Sequence, residues 1–152
     1  MRYSYGEVSH FRRRFLAVPT SATKARSTVS TFAASHGFSG DALCDVETSV
    51  GEAVANAIEH GNRMRGVFTV ACSFERGILK IEVCDGGAGF DDSTKPALDV
   101  SERRTPSLRG YGLYLMRTLM NRVTFKDGGT TVVLEKHLHA ACSPVENTQL
   151  AP

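Results

Sequence analysis

Glu52 and Asn56 stand four residues apart in a run whose apolar positions recur at three- and four-residue steps. On a helix, side chains at that spacing are neighbours. At about 100° per residue, Ser49, Glu52, Asn56 and His60 fall in one narrow sector. Leu43, Val46, Val50, Ala53, Val54, Ala57 and Ile58 form the opposite, core-facing side. A carboxamide oxygen is a hard, neutral ligand for Mg²⁺. A carboxylate beside it can take a proton from an attacking hydroxyl or water. The plainer reading is a solvated helix face, because Glu and Asn are common surface residues.

Three further stretches carry chemistry. Asp85-x-Gly87-x-Gly89 follows directly on an apolar run. A strand-end Asp can accept a hydrogen bond from an exocyclic amine, and the glycines let backbone approach a flat base or a phosphate. Alone, the motif reads equally well as a turn. Arg109-Gly110-Tyr111-Gly112-Leu113 sits where a long loop meets a helical pattern. Free backbone N–H groups at a helix N-terminus attract anions, and a guanidinium suits phosphate. The plainer reading is a hinge with a solvated Arg. There is no Walker loop, and the third glycine of a dinucleotide fingerprint is missing. Finally, Gly129-Thr130-Thr131 opens the last apolar run. A strand Thr is usually structural, but its hydroxyl could also bond a base.

These motifs need elements to hold them. His10 to Val18 reads as a strand ended by Pro19, with Phe11, Phe15 and Leu16 apolar and Arg12 to Arg14 solvated. Ser21 is the expected N-cap of a helix through about Ser35, with Gly37 just past its end. The Glu52 helix spans about Gly40 to His60 and stops at Gly61. Val67 to Glu75 and Ile78 to Cys84 read as a hairpin around Arg76-Gly77. From Gly86 to Arg109 there is little periodicity, and a loop of that length is usually functional or mobile. A helix from about Tyr111 to Asn121 and strands Val123 to Lys126 and Thr130 to Lys136 complete the order. Antiparallel hairpins beside three helices imply an α+β two-layer sandwich.

Composition bounds the function. The chain has 152 residues and 41% hydrophobic composition, enough for one core. Lys+Arg 18 against Asp+Glu 16 leaves a charge of +2, which argues against a dedicated nucleic-acid binder. No apolar run approaches a membrane span, and residues 1–5 lack a signal-peptide core. The four cysteines form no CxxC pair, and Cys44, Cys72 and Cys84 are expected to be buried or half-buried thiols. The expected product is a soluble cytoplasmic protein with a single domain over residues 8–136 and a frayed tail over 137–152.

The four motifs in this order resemble the GHKL, or Bergerat, ATP-binding fold of gyrase, histidine kinases and MutL. Glu52-Ala53-Val54-Ala55-Asn56-Ala57-Ile58-Glu59-His60-Gly61 and Gly110-Tyr111-Gly112-Leu113-Tyr114-Leu115-Met116 are similar to the anti-sigma-factor serine kinases within it. The likeness runs from about Phe11 to Lys136. It implies a mixed, mostly antiparallel sheet with helices on one face. It also implies a homodimer that binds ATP and Mg²⁺, sequesters a sigma factor, and phosphorylates a serine of a STAS-type anti-anti-sigma partner. No nucleic-acid or membrane contact is implied. By the same resemblance Glu52 matches the catalytic base and Asn56 the magnesium ligand. Asp85 matches the adenine-binding Asp, with Gly87 and Gly89 shaping the base pocket. Phe90 to Leu108 match a mobile lid. Arg109, Gly110, Tyr111, Gly112 and Leu113 match the phosphate-contacting segment, and Thr130 matches a position near adenine. Asn121 and Arg122 depart from the acidic pair usual there. The alternative is a nucleotide-binding anti-sigma module with weak or no kinase activity. Glu52 favours the kinase, since a pure binding module needs no base beside its metal.

Overall fold

The computed structural model describes residues 8–61, 66–85 and 108–139. Their elements are β1 (Ser9–Leu16), α1 (Pro19–Ser35), α2 (Gly40–Gly61), β2 (Val67–Glu75), β3 (Ile78–Asp85), α3 (Leu108–Leu119), β4 (Arg122–Lys126) and β5 (Thr131–His137). A short 3₁₀ turn over Asp127–Gly129 joins the last two strands. The lid stretch, Gly87, Gly89 and residues 140–152 lie outside the described residues, as do the side chains of His60, Arg109 and Gly110.

The strands form one sheet in the order β1-β2-β3-β5-β4. Every pairing among them is antiparallel, where a mixed sheet was expected. Connectivity explains this. Between β1 and β2 the chain crosses the sheet twice, along α1 and back along α2, so β2 runs opposite to β1. β4 runs in the same direction as β3, but the β4–β5 hairpin places β5 between them. The β2–β3 hairpin turns at Arg76 and Gly77, with φ of 51° and 78°. Positive φ at both central residues gives the twist of a two-residue hairpin turn.

Alternation along the strands puts Phe68, Val70, Cys72, Leu79, Ile81, Val83, Val132 and Leu134 on the helix-covered face. They meet Ala25, Val29 and Ala33 of α1, Val46, Val50, Ala53, Val54 and Ala57 of α2, and Leu113 and Met116 of α3 in one cluster. Removing a side chain such as Leu79 or Phe68 from water contributes about 1.5–3 kcal/mol. Burial pushes the Cys72 thiol up to about 12, so it stays protonated and inert at neutral pH. Cys84 is half-buried as expected, but Cys44 is exposed on α2, because its helix position turns away from the sheet. The other face of the sheet is polar. There Lys126 and Lys80 lie 3.0 and 3.4 Å from Glu82. Burial raises the Glu82 carboxyl, and the two ammonium groups outweigh it and hold it below its ordinary value.

Several local expectations change. Ser21 is not the N-cap of α1. The helix starts at Pro19, with Val18 extended before it, and Ser21 is a buried residue of the first turn. Proline suits the first helical position because its missing N–H would have no partner there. At the other end Phe38 N–H bonds Ala33 C=O and Gly37 N–H bonds Ala34 C=O, around Gly37 at φ +98°. That pair of bonds is a Schellman motif, which accounts for the glycine. β5 runs to His137, and Leu138 N–H bonds Gly77 C=O while its side chain packs on the core. Among the described residues no helix is long and apolar enough to cross a membrane.

Candidate functional site

One end of the sheet collects the predicted residues. The C-terminus of α2 connects to β2 through residues 62–66 only, and the start of β2 pairs with the end of β3 at Phe68 and Asp85. The last turns of α2 and the end of β3 are thereby brought to the same side. Asp85 has the parity of Leu79, Ile81 and Val83, so its carboxyl stands on the helix face, half-buried. Its N–H donates to the Thr130 C=O at 2.9 Å, which ties the end of β3 to the turn before β5.

Glu52 and Asn56 are both half-buried on α2. What flanks Glu52 is the close approach of α3. A Cβ placed on Gly112 would lie 2.6 Å from the nearer Glu52 carboxylate oxygen, Oε2. No side-chain carbon fits at that distance, so the glycine is what lets α3 pass beside the carboxylate. The two helices run antiparallel. At the far end of α3, Lys136 Nζ donates to the Leu119 C=O and to Asp45 of α2 at 2.8 Å. Leu113 is buried at the α2–α3 junction, and Tyr111 is exposed with its ring 5.9 Å from that of Tyr114.

On its other side Glu52 borders a hollow of about 330 Å³ between α1 and α2. Arg26, Thr23 and Thr48 line it with Glu47 and Gly51. Glu52 thus stands between the packed α3 and this hollow. Arg26 was missed from the sequence because periodicity along one helix says nothing about which residue of another faces it.

The structure refines three expectations here. α3 begins at Leu108, not near Tyr111, so its first turn spans residues 108–111. Gly112 lies in the second turn, where its role is close approach to Glu52. Thr130 precedes β5, and its hydroxyl donates to the Asp127 C=O at 2.9 Å; its carbonyl is the group that reaches Asp85. Thr131, the first residue of β5, is the buried threonine, and it donates to Asp127 Oδ2 at 3.2 Å. Ser49 shares the sector of Glu52 and Asn56 but is fully buried, and its Oγ has no hydrogen-bond partner among the described residues. That side of α2 is covered by α3, which a single-helix projection does not reveal. Among the described residues no three of His, Cys, Asp and Glu converge as a metal cage.

Residues 15–136 match the profile of the histidine kinase-like ATPase domain. The anti-sigma F factor of Geobacillus kaustophilus is 34% identical over 128 residues, covering 75% of this chain and 82% of that protein. The serine-protein kinase RsbW of Listeria monocytogenes is 31% identical over 131 residues, covering 81% and 83%. Among solved structures, the RsbU and RsbW domains of a Mycobacterium tuberculosis protein superpose with a TM-score of 0.60 at 16% identity. That match covers 86% of this chain but only 32% of the longer one, and supports the fold.

Proposed function

The chain belongs to the histidine kinase-like ATPase domain family, and we propose that it is an ATP-dependent protein serine kinase that also acts as an anti-sigma factor. In this reading it holds a sigma factor until an anti-anti-sigma protein of the STAS type replaces it, and it phosphorylates a serine of that second partner. It works as a homodimer in the cytoplasm. The observation that carries the kinase reading is the placing of Glu52, which lies beside α3 at Gly112 and lines the hollow between α1 and α2.

The division of labour in this reading keeps the roles that the resemblance implies. Asp85, on the helix face at the end of β3, accepts the adenine amino group, with Gly87 and Gly89 shaping the base pocket and Thr130 fixing the Asp85 backbone. The start of α3 would bring its first-turn backbone to the phosphates, and Arg109 would add a guanidinium there. Asn56 and Glu52 offer hard oxygen donors one turn apart, the kind of set Mg²⁺ takes together with phosphate oxygens. When bound, the ion neutralises phosphate charge, and Asn56 is its protein ligand. Glu52 takes the proton of the serine hydroxyl entering from the α1–α2 hollow.

The direct test is recovery of the protein with its partners from the native cell, followed by addition of Mg-ATP labelled on the γ-phosphate. Label on a serine of a STAS-type partner is the expected result. Label remaining wholly on free phosphate would replace the kinase reading with simple hydrolysis.

Two binding predictions arise here. Asp85→Asn is expected to weaken ATP and ADP equally, by about 1.5–3 kcal/mol, the range for a hydrogen bond to a charged group. Calorimetry checks it, and equal affinity of the parent protein for ATP and GTP would remove Asp85 from the base pocket. Asn56→Ala is expected to weaken ATP strongly in Mg²⁺ and little in EDTA. An equal loss in both buffers would leave Asn56 as helix surface.

A further inference from the structure

The chain between β4 and β5 does more than reverse direction. Asp127, Gly128 and Gly129 follow one another with φ of 56°, 67° and 88°. Left-handed residues normally occur singly, because a Cβ there crowds the following carbonyl. Gly128 and Gly129 have no Cβ, and Asp is among the side chains that tolerate the region best. The turn is closed by hydrogen bonds that end on Asp127. Its C=O accepts the Thr130 N–H at 3.4 Å and the Thr130 hydroxyl at 2.9 Å, and its Oδ2 accepts the Thr131 hydroxyl at 3.2 Å. Thr131 is 2% exposed, so removing the carboxylate would strand a buried hydroxyl. What this turn delivers is the Thr130 carbonyl. The registered β3–β5 pairs end at Cys84 and Thr131, and one step beyond them the Thr130 C=O accepts the Asp85 N–H at 2.9 Å.

We propose that Asp127 is a positioning residue for nucleotide binding, which sets the place of Asp85 through Thr131 and the Thr130 carbonyl. The proposal rests on the reading of Asp85 as the acceptor of the adenine amino group, and adds what holds that acceptor in place. A hydrogen bond between heavy atoms works over only a few tenths of an ångström around its best distance. The end of β3 must therefore be held to that tolerance for one carboxylate to select a base.

Asp127 does this without touching the nucleotide. Thr131 has the opposite parity to Val132 and Leu134, so its side chain stands on the open face of the sheet. There Asp127, Thr131 and Cys84 line a hollow of about 180 Å³. The Asp85 carboxyl stands on the other face, among the helices. A change at the Asp127–Thr131 pair therefore reaches the base only through the backbone bond from Asp85 to Thr130. Asp is also a common turn residue. That role alone predicts a change in stability and none in the nucleotide affinity of the folded protein.

Three variants test it. Asp127→Gly removes the carboxylate and suits the left-handed backbone. Thr131→Val removes the same bond from its other end, leaves the turn residues as they are, and keeps a branched side chain in the strand. Asp127→Asn keeps an oxygen acceptor and the tolerance of positive φ. By calorimetry the first two are expected to weaken ATP and ADP alike by about three- to tenfold, the effect of one lost hydrogen bond, and Asp127→Asn to stay near the parent. Hydrogen exchange of the Asp85 amide, measured without nucleotide, should quicken in the first two only. Added to Asp85→Asn, Asp127→Gly should cost no further affinity, because the carboxylate it positions is already changed. Circular dichroism reports that each variant is folded. Parent-like ATP affinity in both Asp127→Gly and Thr131→Val would overturn the proposal. Unchanged Asp85 exchange, or a loss that multiplies with that of Asp85→Asn, would overturn it as well. Parent-like ATP affinity in Asp85→Asn alone is the distinct result that removes Asp85 from the base pocket, and the proposal with it.

Discussion

Glu52→Gln is expected to leave ATP affinity near that of the parent while slowing phosphorylation of the STAS-type partner by roughly 10²–10⁴-fold, the contribution of a positioned general base. The amide keeps the shape of the carboxylate and most of its hydrogen bonding but cannot accept the serine proton. Phosphoryl transfer rests mainly on positioning and charge neutralisation, so binding should survive where the proton-transfer step does not. Single-turnover transfer from γ-labelled ATP, with calorimetry for affinity, separates the two quantities. An ordinary surface glutamate would move neither. A transfer rate within about twofold of the parent, a margin far below the expected range, would end the assignment of Glu52 as the base.

Gly112→Ala is the second large effect, and it comes from space rather than from lost chemistry. The new methyl would sit 2.6 Å from Glu52 Oε2 and 3.5 Å from the carboxyl carbon. The carboxylate is the flexible end of its side chain, so it swings aside and the fold remains. Alanine is a better helix former than glycine by up to about 1 kcal/mol, so the melting temperature should hold or rise. A displacement of about 1 Å at a catalytic group costs on the order of 10²-fold, and transfer should fall by about that factor. Stability and activity therefore move apart, which a general packing defect would not produce. A variant that melts as the parent does and transfers phosphate at the parent rate would show that the passage of α3 beside Glu52 is irrelevant to turnover.

The strands were legible where alternation and turn chemistry agree. Val67 to Glu75, Arg76-Gly77 and the strand from Ile78 are read directly from the residues, because a two-residue turn with positive φ sets the register. The long α2 was legible for a similar reason, its apolar stripe being unbroken for about four turns. Helix starts were harder. Ser21 looks like a cap, yet Pro19 already satisfies the first turn by lacking an N–H. Gly110 looks like loop, yet α3 contains it, because local propensity yields to packing on α2. Within the site, Glu52, Asn56 and Asp85 were legible as residue types at fixed spacing. The burial of Ser49, the nearness of Arg26 and the clearance at Gly112 were not, since each is set by a second element that the local pattern does not mention.

The Lys136 bridge to Leu119 and Asp45 has a mechanical consequence. It pins α3 at the end farthest from Glu52. Asn121 continues the restraint, its N–H bonding the Glu135 C=O and its Oδ1 accepting from His137 N–H. At about 1.5 Å per residue the helix is about 18 Å long, so a tilt of about 10° around the pinned end carries the other end by about 3 Å. α3 is in effect a lever with its fulcrum at Leu119. A tilt too small to disturb the sheet would open or close the clearance between Gly112 and Glu52, and the Glu52 carboxylate would sense it directly.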